Sequence, residues 1–162
     1  MRTWLAAGAA ACALLLGFGY FLQYVQGLDP CPLCQVQRAF YYLVGLAFLA
    51  GAVQGRFFRA YSLLAALFTL GGIGTAGRQV WLQHLPPHKV PRCGPDLAFM
   101  LKNLPLSRTL EKLFTGTGEC ALVDWSLLGL SIAEWSLAWF CALFCYALWL
   151  ALKRGKQFAD QH

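Results

Sequence analysis

Charge is what this 162-residue chain has least of: Asp, Glu, Lys and Arg together make up 12%, against 59% hydrophobic residues. A water-soluble domain carries about 25% charged residues, so lipid is the expected solvent for most of the surface. Acidic residues are scarcest, 7 against 13 Lys and Arg, for a net charge of +6. No basic stripe gathers those cations as a nucleic-acid binder would require. They stand between apolar runs, where they can meet anionic lipid headgroups. Residues 3–28 hold no charge at all. That run outlasts the apolar core of about 7 to 15 residues in a secretory signal, so it reads as a retained span and not as a cleaved leader.

Three further apolar runs follow. One lies between Arg38 and Arg56 and extends back to Cys34; another lies between Arg59 and Arg78 and extends to Leu85; the last lies between Glu134 and Lys153. In hydrocarbon every backbone donor and acceptor must find a partner within its own segment, so each run is expected to be a helix. The expected spans are about 4–25, 34–54, 60–83 and 135–152. Small residues four apart, Ala47 with Gly51 and Gly72 with Ala76, would let backbones approach. The fold class expected is an all-α membrane protein, a four-transmembrane-helix bundle forming one membrane domain over residues 1–162.

The flanking cations orient it. Arg2, Arg56, Arg59, Lys153, Arg154 and Lys156 fall on one side, opposed only by Asp160; on the other side Lys89, Arg92, Lys102, Arg108 and Lys112 mingle with Asp96, Glu111, Glu119 and Asp124. The positive-inside rule places both termini and the 55–59 connection in the cytoplasm. Two loops, about 26–33 and about 84–134, then face outward. In the longer one, residues 97–114 interleave Leu, Phe and Met with charge, as in an amphipathic helix at the interface or in a small subdomain outside the membrane. Pro105 is expected to break it. Residues 125–135, between Trp125 and Trp135, read as a segment lying on or dipping into the outer surface.

Topology sorts the seven cysteines. Cys12, Cys141 and Cys145 fall inside spans, where a thiol packs as a small apolar group. Cys31, Cys34, Cys93 and Cys120 all lie outside, and an oxidising compartment is where disulfides persist. Cys31-Pro-Leu-Cys34 is a Cys-X-X-Cys at the start of a helix, whose unpaired N–H groups favour a thiolate. Arg38 follows one turn later, placed to stabilise a thiolate or an anionic form of a cofactor, or simply to snorkel toward headgroups. Haem attachment would need histidine where Gln35 stands. Zinc is disfavoured by the 26 residues between Cys93 and Cys120, which do not make a second tight knuckle. A structural bond closing that loop, contributing about 3 to 4 kcal/mol, stays open beside a second reading, a relay passing electrons between two dithiol pairs.

Taken together, the four spans, Cys31-Pro-Leu-Cys34 with Arg38, the separated Cys93 and Cys120, and Leu128-Gly129-Leu130 with Trp135 before the last span resemble the bacterial disulfide bond formation protein B family. The resemblance implies a thiol:quinone oxidoreductase of the bacterial inner membrane. Its periplasmic cysteines would reoxidise a thioredoxin-fold DsbA-type partner and so sustain disulfide formation. It implies attack by that partner on Cys93, exchange of Cys120 with Cys31, and Cys34 facing ubiquinone, or menaquinone under anaerobic conditions, beside Arg38. His84, at the outer end of the third span, is a further candidate for contact with the quinone or for proton delivery to it. No metal and no nucleic acid are implied. Two alternatives remain. One is a vitamin K epoxide reductase-like enzyme, disfavoured because its loop cysteines precede the Cys-X-X-Cys. The other is a non-catalytic membrane sensor or scaffold with a structural disulfide.

Overall fold

The computed structural model describes residues 1–55, 57–89, 99, 102–103, 105, 107–108, 118–121 and 125–153. Four long helices dominate it: α1 (Arg2–Gln26), α2 (Pro32–Gln54), α3 (Phe58–Gln83) and α4 (Ile132–Leu152). Each is long and apolar enough to cross a membrane; the chain is a multi-pass membrane protein with an all-α bundle. Short 3-10 turns cover Pro87–Lys89 and Gly118–Ala121.

Helix ends follow local chemistry. Gly27 (φ 69°) and Gly55 (φ 65°) close α1 and α2 in the left-handed conformation, which costs glycine nothing sterically. Arg2 then donates through Nε to the Ala52 carbonyl at 2.9 Å and through a terminal nitrogen to the Val53 carbonyl at 3.1 Å. A cation thus meets the negative end of α2. The second helix begins at Pro32, two residues earlier than expected, because proline fixes a helical φ at the first position and Cys31 serves as the N-cap.

The helices pack in chain order, α1 on α2, α2 on α3, and α3 on α4. Val44, Phe48, Ala65, Ala76, Phe140, Ala147 and Leu150 form the fully buried core. Two glycines make room for its rings. A Cβ on Gly8 would lie 2.9 Å from the Phe48 ring, and one on Gly72 would collide with Phe140. Cys12 is buried in this core, whereas Cys141 and Cys145 lie exposed on α4. Leu14, Leu46, Val53, Leu67 and Leu152 are exposed as well, the pattern of helices whose outer faces meet hydrocarbon.

The segment 125–135 differs from expectation. Its first half is a hairpin, β1 (Ser126–Leu127) antiparallel to β2 (Leu130–Ser131), with Ser126 opposite Ser131 and Leu127 opposite Leu130. Leu128 (φ 56°) and Gly129 (φ 81°) supply the two positive φ angles that a tight two-residue hairpin turn needs. Its second half is already α4. There the Ser131 hydroxyl accepts from the Glu134 N–H while the Glu134 carboxylate accepts from the Ser131 N–H. This capping box starts the helix three residues before the expected boundary. In the stretch 97–114, Phe99, Lys102, Asn103, Ser107 and Arg108 are helical and exposed, and Pro105 is not helical. The rest of that expected amphipathic helix lies outside the described residues.

Candidate functional site

Three sulfurs meet at one end of the bundle. Cys31 is the N-cap of α2 and accepts a hydrogen bond from the Cys34 N–H at 3.4 Å; its Sγ lies 3.0 Å from Cys34 Sγ. The turn Gly118–Ala121 brings Cys120 to the same place, where it is 1% exposed and packs with Cys31, Leu33 and Leu82. Hydrogen bonding with Cys120 and then with Cys34, followed by burial, pushes the Cys31 thiol above its ordinary range. The arrangement therefore keeps the proton on Cys31. A third sulfur within hydrogen-bonding reach of a Cys-X-X-Cys is the geometry thiol–disulfide exchange requires.

Beside the sulfurs lies a cavity of about 970 Å³, at the upper end of the usual range for small-molecule sites. Leu15, Phe18 and Leu22 of α1 line it on one side, and Ile132, Trp135 and Trp139 of α4 on the other. Tyr41, stacked on Phe140 at 4.1 Å between ring centres and hydrogen-bonded to the Ser136 carbonyl at 3.2 Å, closes part of the wall. The Trp135 indole donates to the Leu127 carbonyl at 3.0 Å and so ties the hairpin to α4. Polar groups converge where Cys31, Cys34, Gln37, Arg38 and Gln79 reach the cavity. Arg38 is pinned there: its guanidinium donates to the Gly19 carbonyl at 3.0 Å and to the Gln23 side chain, and sits 4.8 Å from the Tyr20 ring centre. An arginine with these partners is built into the wall instead of snorkelling to a headgroup.

A protein-family model described as Disulfide bond formation protein DsbB matches residues 1–150. The chain belongs to the DsbB family. Its relatives include Disulfide bond formation protein B of Methylococcus capsulatus, 46% identical over 150 residues, covering 91% of this chain and 92% of that protein. The protein of the same name from Hahella chejuensis is 50% identical over 133 residues, 80% of this chain and 81% of its own. Disulfide bond formation protein B 1 of Pseudomonas aeruginosa is 46% identical over 148 residues, 90% of this chain and 91% of its own.

Of the residues singled out in the sequence, Cys31, Cys34, Arg38 and Cys120 are brought together at this DsbB-type site. Cys93 lies outside the described residues. His84 stands apart from the cavity lining: its side chain is exposed, Nδ1 is 2.9 Å from the Val80 carbonyl, and Nε2 is 4.0 Å from the Glu134 carboxylate. The Arg78 guanidinium lies over the Trp81 ring, 4.2 Å from its centre. Sequence reasoning passed over two residues, Gln37 and Gln79, each 4% exposed. Gln37 Nε2 donates to Gln79 Oε1 at 2.7 Å, and Gln79 Nε2 lies 3.2 Å from Cys34 Sγ. The signal was present. A primary amide inside an apolar span is costly to bury without a partner, and each glutamine sits in such a run.

Proposed function

We propose that this protein is a membrane thiol:quinone oxidoreductase that reoxidises a DsbA-type periplasmic dithiol oxidase. The observation that carries it is the meeting of Cys31, Cys34 and Cys120 beside a largely apolar cavity that also holds Arg38. DsbB family membership favours this reading over the vitamin K epoxide reductase-like alternative and over a sensor without turnover.

The steps balance as thiol–disulfide exchange. A thiolate of the reduced partner attacks Cys93 of a Cys93–Cys120 disulfide, and Cys120 leaves with the electron pair. The partner's second thiolate then displaces Cys93, so the partner departs oxidised and the loop pair is left reduced. Cys120 attacks Cys31 of the Cys31–Cys34 disulfide; that S–S bond breaks, and its electron pair passes to Cys34. Cys93 next attacks Cys120, restoring the loop disulfide and releasing Cys31. Two electrons and two protons have then moved from the partner to Cys31 and Cys34.

The cavity fits a quinone: apolar walls from α1 and α4 suit a ring and the start of an isoprenoid tail, and Arg38, Gln37 and Cys34 face the polar end. A bound ubiquinone or menaquinone supplies an acceptor for two electrons and two protons, which returns Cys31 and Cys34 to the disulfide. Arg38 would hold a carbonyl oxygen and favour negative charge near it. Cys34 would face the ring, while Cys31 keeps its side toward Cys120. The reading places the site at the periplasmic face of the bacterial inner membrane, with both termini cytoplasmic.

Purified protein in detergent, given a reduced DsbA-type partner and quinone, should oxidise the partner and reduce the quinone in equal amounts. Folded protein that oxidises no partner when quinone is supplied would overturn the proposal.

A further inference from the structure

We propose that Gln79 is the hydrogen-bond donor that holds negative charge on the Cys31–Cys34 sulfur pair, and that Gln37 fixes the direction of its amide. The inference deepens the oxidoreductase reading and rests on it in taking this pair to be redox-active. Gln79 projects from α3 into the sulfur cluster, with Nε2 at 3.2 Å from Cys34 Sγ and 3.5 Å from Cys31 Sγ. Its other end is engaged, because Oε1 accepts from Gln37 Nε2 at 2.7 Å. An amide has one accepting and one donating end. With the first held by Gln37, the second is turned to the sulfurs.

The chemistry makes that direction matter. A thiol or disulfide sulfur is a weak acceptor, whereas a thiolate accepts a charge-assisted hydrogen bond of roughly twice ordinary strength. When an incoming thiolate bonds to Cys31 and the Cys31–Cys34 bond breaks, the electron pair moves to Cys34, the sulfur nearer Gln79. The contact is therefore stronger after cleavage than before it, and an interaction of that kind lowers a barrier. Once the sulfur takes up a proton, the same amide still serves it, since Cys34 Sγ is 3.5 Å from Gln79 Oε1. Arg38 does not substitute for this donor: its guanidinium is directed to Gly19 and Gln23.

A rival account treats the two glutamines as a polar clasp between α2 and α3, the common use of amides between membrane helices. The two differ in what they move. The fully reduced, full-length protein in detergent, without quinone or partner, is treated with iodoacetamide across a pH series, and modification of Cys34 is followed by peptide mass spectrometry. Gln79→Leu should slow Cys34 alkylation at neutral pH by about tenfold, the scale of one hydrogen bond to a charged group, and move the midpoint of the profile to higher pH. Gln37→Leu should move it the same way by less.

Because Gln79→Leu alone leaves the Gln37 amide buried without its partner, the double variant Gln37→Leu/Gln79→Leu is the decisive one; removing both partners together is nearly neutral for folding. A double variant that folds and shows the displaced midpoint supports the donor role. A folded double variant whose Cys34 profile overlays the wild type overturns it and leaves only the clasp. The readout is independent of turnover, so a displaced profile in a protein that never reduces quinone would count against the proposed function and not against Gln79.

Discussion

The Arg38 guanidinium donates to the Gly19 carbonyl at 3.0 Å, which fastens α2 to α1 at the wall of the sulfur-lined cavity. A helical carbonyl normally accepts from within its own helix, so this second bond marks where the two helices are locked at one height. It also fixes a positive charge at the lining of that cavity.

Removing that charge should separate the two halves of the reaction. Arg38→Ala is expected to lower steady-state quinone reduction by at least about tenfold, a loss of about 1.4 kcal/mol of barrier lowering. A single round of partner oxidation in the absence of quinone should continue. Stopped-flow partner oxidation beside steady-state quinone absorbance checks this. Equal loss in both would show that Arg38 serves the fold and not the cavity.

The order of sulfur attack can be read from trapped species. Cys120→Ser, given the oxidised partner, should accumulate a mixed disulfide visible on a non-reducing gel: the Cys93 thiolate attacks the partner's disulfide, one partner sulfur leaves with the electron pair, and Cys120, the thiol that would displace the partner from Cys93, is gone. Cys93→Ser should leave nothing to trap. Trapping by both variants alike would show that the partner does not choose Cys93.

The reduced protein should lose stability in alkali. Hydrogen bonding with Cys120 and Cys34 raises the Cys31 thiol in the folded state, so at high pH the folded chain binds more protons there than the unfolded chain does. The stability that Cys31 contributes is then complete below the ordinary thiol value of about 8.5 and declines as pH rises past it. Thermal melting of the reduced protein at several pH values should show this decline, and Cys31→Ala should flatten it. An unchanged slope would mean that Cys31 is not the group responsible.

The hairpin tip carries a correctable strain. Leu128 holds φ at 56° and is 86% exposed; a left-handed conformation costs a branched residue about 1 to 2 kcal/mol. Leu128→Asn creates the Asn-Gly pair this turn type prefers and should raise the melting temperature in detergent. A lower melting temperature would show that the leucine side chain contributes more through its apolar surroundings than its backbone angle loses.

These tests concern features of unequal legibility in the sequence. The four helices were readable because hydrocarbon leaves the backbone no other arrangement, and Arg2, Arg38 and Glu134 bracket the apolar runs plainly. Cys31, Cys34 and Arg38 were readable because they fall within two successive helical turns. The packing of Cys120 against Cys31 follows from no spacing, since 88 residues lie between them and only tertiary contact with Leu33 and Leu82 fixes their approach; there the family resemblance supplied the expectation. Gln37 and Gln79 escaped notice because an uncharged amide leaves little trace in a hydropathy pattern, and its value depends on a partner 42 residues away. The early start of α4 was hidden for a more local reason. Ser131 and Glu134 spell a capping box, but two flanking tryptophans made the same residues look like an interfacial segment.

Ser131 also has a wider consequence. Its N–H and hydroxyl close the capping box with Glu134, the hydroxyl donates to Gln83 Oε1 of α3 at 2.8 Å, and its backbone ends the hairpin opposite Ser126. One residue is thus a shared vertex of three otherwise separate constraints: the start of α4, the register of α4 on α3, and the closure of the loop strand. Perturbations at Gln83, Glu134 and Ser126 are consequently not independent variables. Changed in pairs, they should deviate from additivity, and this corner of the protein should yield as a unit.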